Sequence, residues 1–238
     1  EICACLVGSE MCIRDRSYYR DIVWRERAIS MAVRPAVTLG KYIMMSDWGW
    51  SLEQLTWNWR GMEDKPMTVN IYSRSPKVKL YLNDKLVGEK ETGRENYIAT
   101  FEVPYEPGIL KAVNAQSKEE FILKTTGKPS AIRLTADRDK IKASRNDLSY
   151  VKIELIDKDG NVVPDTSLPV SIQCSGNGHI IAAGNAAYDD MKSFRSLTPN
   201  TFRGKAMAIV QPDEAKGTIQ LTVSAEGLED VSILIKVE

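Results

Sequence analysis

The chain has 238 residues, room for about two domains. Lys plus Arg and Asp plus Glu number 32 each, so no net field draws it to nucleic acid or to an anionic membrane, and neither is expected as a partner. No apolar run approaches the roughly 20 residues that a bilayer-spanning helix needs.

Cys3, Cys5 and Cys12 crowd the start, and Cys174 stands alone in the body. C-A-C followed by a single Cys12 lacks the C-x-x-C pairs and histidines of a zinc site, and the one histidine, His179, is far off in sequence. The run Leu6–Asp15, LVGSEMCIRD, resembles the translation of a common transposase-type sequencing adapter. Residues 1–16 are therefore expected to be a non-native artefact and are excluded from fold reasoning. One cysteine is then left, too few for a disulfide framework. No metal or cofactor is expected.

Ser17–Arg27, SYYRDIVWRER, spaces its aromatic and aliphatic residues for one amphipathic helix of about three turns. A helix that short must pack on something. Ala28–Val33 is apolar enough to be extended, and Pro35 closes it. Ala36–Gln54 reads as irregular, broken by Gly40 and Gly49. Alternation then predicts strands at Met67–Ser73, Val78–Leu82, Tyr97–Val103, Ile109–Ala115 and Phe121–Thr125, with a tight hairpin turn at Asn83-Asp84. Thr126–Pro129 is a linker. Beyond it, strands are predicted at Ile132–Ala136, Tyr150–Ile156, Val170–Cys174, Ile180–Ala183, Ala206–Gln211, Thr218–Ala225 and Val231–Val237, with a long loop at Ala186–Thr201 over one end. Short strands at regular spacing make the fold class all-β, as two tandem immunoglobulin-like β-sandwich domains.

Residue chemistry offers few sites. Trp48, Trp50, Trp57 and Trp59 crowd one stretch, DWGWSLEQLTWNW. Aromatic faces stack on sugar rings, and Trp48 and Trp50, in the irregular segment, are the candidate substrate-binding residues. The plainer reading is that the rings glue the linker to a neighbouring domain, and it takes precedence. Trp57 and Trp59 are expected to lead into a strand. Glycoside hydrolysis by a retaining route needs two carboxyl groups about 5–5.5 Å apart. Glu63-Asp64 and Glu89–Glu91 are instead expected to be solvated, and Asp189-Asp190 sits in the long loop. Asp157-x-Asp-Gly-Asn161 brushes against a calcium-loop pattern but lacks its third acidic position and distal glutamate, so a hairpin turn is expected. His179 has no nearby Ser, Cys or Asp arrangement that makes a triad. Gly176 and Gly178 precede no helix pattern and so form no phosphate cradle. No catalytic residue is assigned.

Three signatures resemble glycoside hydrolase family 2 enzymes of the β-galactosidase type. SYYRDIVW at Ser17–Trp24 is similar to the last helix of that family's (β/α)8 barrel. WNWRGMEDKPMTVNIYSRSPKVKLYLNDKLVGEK at Trp57–Lys90 and VPYEPGILKAV at Val103–Val113 resemble the accessory domain after the barrel. Ala131–Val237, with LTADRDKI, LSYVKIELIDKDGNVVP and AAGN, resembles the terminal immunoglobulin-like domain. Asn83-Asp84 departs from the commoner Asn-Gly turn. The resemblance implies a division into the end of the catalytic barrel at 17–34 (a short helical remnant), a Trp-rich linker at 35–56, an accessory sandwich at 57–127 and a C-terminal domain at 128–238. It implies a parent retaining exo-β-glycosidase whose two catalytic glutamates precede Ser17. It implies a β-linked saccharide substrate met through the missing barrel, intramolecular packing on that barrel, and a periplasmic or secreted location. The competing reading is a carbohydrate-binding or adhesin-like tandem module of a bacterial surface protein; against it, the two β halves are not repeats of one another.

Overall fold

The computed structural model describes residues 18–25, 27–34, 53–187 and 190–238. The chain divides into two compact units that part between Thr125 and Thr126.

In the first unit a short helix, α1 (Tyr18–Val23), precedes β1 (Ile29–Arg34), β2 (Pro66–Ser73), β3 (Lys77–Leu82), β4 (Lys85–Glu91), β5 (Ile98–Pro104), β6 (Ile109–Asn114) and β7 (Glu120–Lys124). They form a three-stranded sheet, β1-β2-β5, and a four-stranded sheet, β4-β3-β6-β7. Strict alternation sends Ile29, Met31, Val33, Met67, Val69, Ile71, Phe101 and Val103 inward from the smaller sheet. They meet Val78, Leu80, Leu82, Leu110, Ala112 and Leu123 of the larger one in a single core.

Two differences from the expected elements follow from one backbone event. The helix ends at Val23 instead of running to Arg27, because Arg25 enters the left-handed region (φ 66) and turns the chain back. Trp24 is thereby left 68% exposed. The turn delivers Ile29–Arg34 antiparallel to β2, with Ile29 opposite Ser73 and Arg34 opposite Thr68. The segment before Pro35 is thus an edge strand of the first sandwich.

The hairpin between β3 and β4 turns at Asn83 (φ 49) and Asp84 (φ 62), as a type I′ turn requires. Asn83 also reaches the β5–β6 turn: its Nδ2 donates to Glu106 Oε1 (3.0 Å) and its Oδ1 accepts from Ile109 N–H (2.9 Å). That contact explains Gly108, which has φ 144 and whose missing Cβ would fall on the Asn83 amide.

The second unit holds β8 (Ala131–Ala136), β9 (Lys140–Ile141), β10 (Ser149–Ile156), β11 (Val170–Gly176), β12 (Gly178–Gly184), β13 (Lys205–Pro212), β14 (Gly217–Ala225) and β15 (Val231–Val237). Its sheets are β12-β13-β10-β8 and β11-β14-β15-β9. All seven expected strands form; β9, a two-residue strand parallel to β15, is additional. The core is aliphatic throughout, built on Val151, Ile153, Leu155, Ile172, Val210, Ile219, Leu221 and Ile235. The described part of the long loop runs along the edge strands β12 and β11. Ala183 N–H donates to Phe194 O (2.7 Å), Ile172 N–H to Leu197 O and Val170 N–H to Pro199 O (both 2.9 Å). Backbone donors that an open edge would leave for another chain are satisfied in this way.

Candidate functional site

The tryptophans separate by burial. Trp57 is fully buried, its Nε1 donating to Glu106 O (2.9 Å) and its ring edge-on to Tyr105 at 5.1 Å. Tyr105 Oη donates back to Trp57 O at 3.3 Å, and Thr125 Oγ1 donates to the same carbonyl at 2.7 Å. This corner closes one end of the first core. Trp57 and Trp59 lie in non-repetitive backbone rather than at a strand entry, and Trp59 packs half-buried against the core. Its indole nitrogen is shut off from solvent and has no acceptor among the described residues. Trp48 and Trp50 lie outside the described residues.

A second feature was not visible in the sequence. Val33 and Gln54 exchange both backbone hydrogen bonds (2.9 and 2.8 Å), so residues 53–54 run beside β1. Val33 points into the core, and strand alternation then sends Glu53 to the opposite, outer face of the three-stranded sheet. That face is covered by α1: Tyr18 and Ile22 pack on Ala32 and Tyr72. Beneath the helix, Glu53 Oε2 accepts from Tyr18 Oη (2.7 Å) and Tyr72 Oη (2.6 Å), while Asn70 Nδ2 donates to Glu53 Oε1. Asn70 Oδ1 accepts from Thr100 Oγ1 (2.7 Å), its cross-strand neighbour on β5. Burial first, and then the adjacent Glu53 carboxylate, push the Tyr72 phenol above its ordinary pKa.

The remaining carboxylates are structural or solvated. Glu63, Asp64 and Glu89–Glu91 are exposed, Glu89 pairing with Lys79 (3.3 Å) and Lys77 (3.8 Å). Asp157 anchors its turn: Oδ1 accepts from Asp159 N–H (3.0 Å) and Asn161 N–H (2.8 Å), and Oδ2 from Gly127 N–H (2.9 Å). Burial alone would raise its pKa, but these donors outweigh it and hold the carboxyl below the usual range. Asp190 ties the long loop together by accepting from Asn185 Nδ2 (2.5 Å) and Lys192 N–H (2.9 Å). Asp189 lies outside the described residues. Among the described residues no three His, Cys, Asp or Glu side chains converge as metal ligands.

His179 does have an acidic neighbour: Nδ1 is 3.0 Å from Asp213 Oδ1. The pair lines an open concavity of about 380 Å³ with Arg145, Gln211, Pro212 and Glu214. Its groups are spent on one another, Arg145 on Glu214 (3.2 Å) and Gln211 Nε2 on the Arg145 carbonyl (2.8 Å). Burial first, then Asp213, raise the Cys174 thiol above its ordinary pKa.

Each unit is thus a two-sheet β-sandwich, the first with a helix packed on its outer sheet. Residues 132–234 match the family model of the glycoside hydrolase family 2 C-terminal domain 5, and residues 64–121 match a domain of unknown function, DUF4982. Beta-galactosidase BoGH2A of Bacteroides ovatus is 32% identical over 185 residues, 76% of this chain and 22% of that protein. A Beta-glucuronidase of Formosa agariphila is 28% identical over 188 residues, again 76% of this chain but 19% of its own length. A crystal structure of a glycosyl hydrolase family 2 member from Bacteroides cellulosilyticus superposes with a TM-score of 0.86 at 32% identity, over 93% of this chain and 30% of that one. The chain belongs to the C-terminal part of glycoside hydrolase family 2. It spans about a fifth of the length of the curated relatives it matches. Among the described residues no helix is long and apolar enough to cross a membrane.

Proposed function

We propose that this chain is the non-catalytic C-terminal portion of a retaining exo-β-glycosidase, and that its sandwiches buttress a catalytic barrel encoded upstream. The observation that carries the reading is the ordered pair of domain matches, 64–121 then 132–234, inside a superposition covering 93% of this chain but 30% of the family 2 structure. On this reading the chain leaves the barrel ahead of β1, which already belongs to the first sandwich, the substrate is a β-linked saccharide bound in the barrel, and the enzyme acts in the periplasm or outside the cell. Trp48 and Trp50 would face the substrate entrance. The side chains placed in the two sandwiches support a scaffolding role. Trp57 and Glu53 are buried, and the acidic residues singled out from sequence that lie among the described residues are exposed or tie turns and loops together.

The test has two arms. The purified 238-residue chain should show no turnover of nitrophenyl β-galactoside or β-glucuronide. A continuous DNA read across the Arg16–Ser17 junction should open into a barrel with two strand-end glutamates. Hydrolysis by the chain alone, or a surface-repeat sequence upstream, would overturn the assignment.

A further inference from the structure

We propose that Glu53 is a positioning residue. Its carboxylate fixes helix α1 on the outer face of the first sandwich, and through α1 the barrel that the reading above places upstream. Only that last clause rests on the proposed function.

The argument starts from what α1 lacks. Six residues cannot hold a helix in water, so α1 exists because it is docked. Its apolar contacts, Tyr18 and Ile22 on Ala32 and Tyr72, supply attraction without direction. Direction comes from the carboxylate beneath. Both phenols converge on Oε2, one from the helix and one from β2, and Asn70 takes Oε1. Thr100 on β5 donates to the Asn70 carbonyl oxygen and so holds its amide with the NH2 toward Glu53. Gln54, next in the chain, is bonded to Val33 on β1. The acid therefore joins the helix to β2 directly, and reaches β5 through Asn70. These three bonds come from hydroxyls and an amide, which are strongly directional donors, and the carboxylate charge strengthens them. A helix slipped by one residue would carry Tyr18 away and leave a buried carboxylate short of a donor, which is the expensive alternative.

The test is amide hydrogen exchange on the 238-residue chain. In Glu53→Gln, protection at Ile22–Trp24 should fall about tenfold to a hundredfold, the loss expected for a charge-assisted bond, with the β3 and β6 amides unchanged. Tyr18→Phe, which removes only the helix-side donor, should give the smaller loss of the same kind and covers the case in which Glu53→Gln misfolds. The decisive arm is rescue. In the double variant E53Q/N70D the new amide donates to the new carboxylate while its oxygen still accepts both phenols, so α1 protection should return. Unchanged α1 protection in the single variants, or a folded double variant no better than E53Q, overturns the proposal. In the full-length protein, E53Q should lower kcat/KM and E53Q/N70D should restore it. Exchange effects without any kinetic effect would retain the joint and overturn its link to the barrel.

Discussion

Two buried glutamates, one in each sandwich, are satisfied by different kinds of partner. Glu53 in the first meets two phenols and an amide drawn from a helix and a neighbouring strand. Glu154 in the second, on β10, meets Arg133 of β8 (2.9 Å) and Lys152 of its own strand (3.2 Å). The bonds to Glu53 join a helix to a strand through directional hydroxyl and amide donors; those to Glu154 pair its charge with cations inside one sheet. The cores differ in the same spirit. The first is closed by large aromatic residues, Trp57, Phe101 and Tyr105, and the second is aliphatic throughout.

The largest break in this comparison should come from Trp57→Ala. Removing a fully buried indole that also holds the Glu106 carbonyl should cost the first sandwich about 3–5 kcal/mol. Calorimetry with residue-level exchange should show the first unit's transition collapsing while the amides of β10 and β14 keep their protection. Equal loss in both units would mean that the aromatic corner is not local to the first.

A pH scan should separate the units in opposite directions. Burial would raise the Glu154 pKa, but the Arg133 hydrogen bond and the Lys152 charge outweigh it and hold the carboxyl low. The folded value lies below the unfolded one of 4.5, so this contribution is complete above about pH 4.5 and is lost as pH falls through the folded value. Asp157 acts in the same sense, so the second sandwich should weaken in acid. Tyr72 has the reverse sign. Its folded pKa lies above the unfolded value of 10.0, so its contribution is complete below about pH 10 and erodes as pH rises beyond it. The first sandwich should therefore weaken in alkali. Melting profiles of the chain and of Tyr72→Phe check this, because the variant should flatten the alkaline limb and leave the acid limb alone. An unaltered alkaline limb in that variant would contradict it.

What the sequence carried, and what it did not, follows from the range of the interactions. Alternation is a local signal, and each strand it predicts forms within a residue or two of its expected bounds; β4, exposed along nearly its whole length, has no alternation to find. β9 escaped because two residues have no period, and it exists only through its parallel pairing with β15. The aromatic spacing continues to Trp24 and so predicts a longer helix, while the left-handed turn at Arg25 answers to the distant strand β2. Glu53 lies inside a stretch whose sequence has no regular pattern. Its partners Tyr18, Tyr72 and Asn70 are 35, 19 and 17 positions away, and none carries a spacing that points to it. Of the candidate site residues, Trp48 and Trp50 fall outside the described residues, so the joint under α1 is what the fold adds.

The smallest expected effect concerns the β3–β4 hairpin of the first sandwich. Asp84 occupies the second central position of a type I′ turn at φ 62, where the commoner residue is glycine. Asp84→Gly relieves a left-handed conformation that an L side chain tolerates at a cost, though it also frees the unfolded chain, which takes back part of the gain. The ion pair that is lost, Lys111 Nζ to Asp84 at 3.7 Å, involves a carboxylate 88% exposed and is screened by water. The balance should favour glycine by about 0.5 kcal/mol, seen as a small rise in the first unit's transition with the second unmoved. Asp84→Asn separates the two effects, since it removes the charge and keeps a side chain suited to the left-handed region. If glycine destabilises and asparagine does so equally, the Lys111 pair outweighs the turn geometry, and charge would then matter in the first sandwich as it does in the second. If glycine stabilises while asparagine is neutral, the turn obeys the same rule as the rest of that sandwich, in which directional geometry decides.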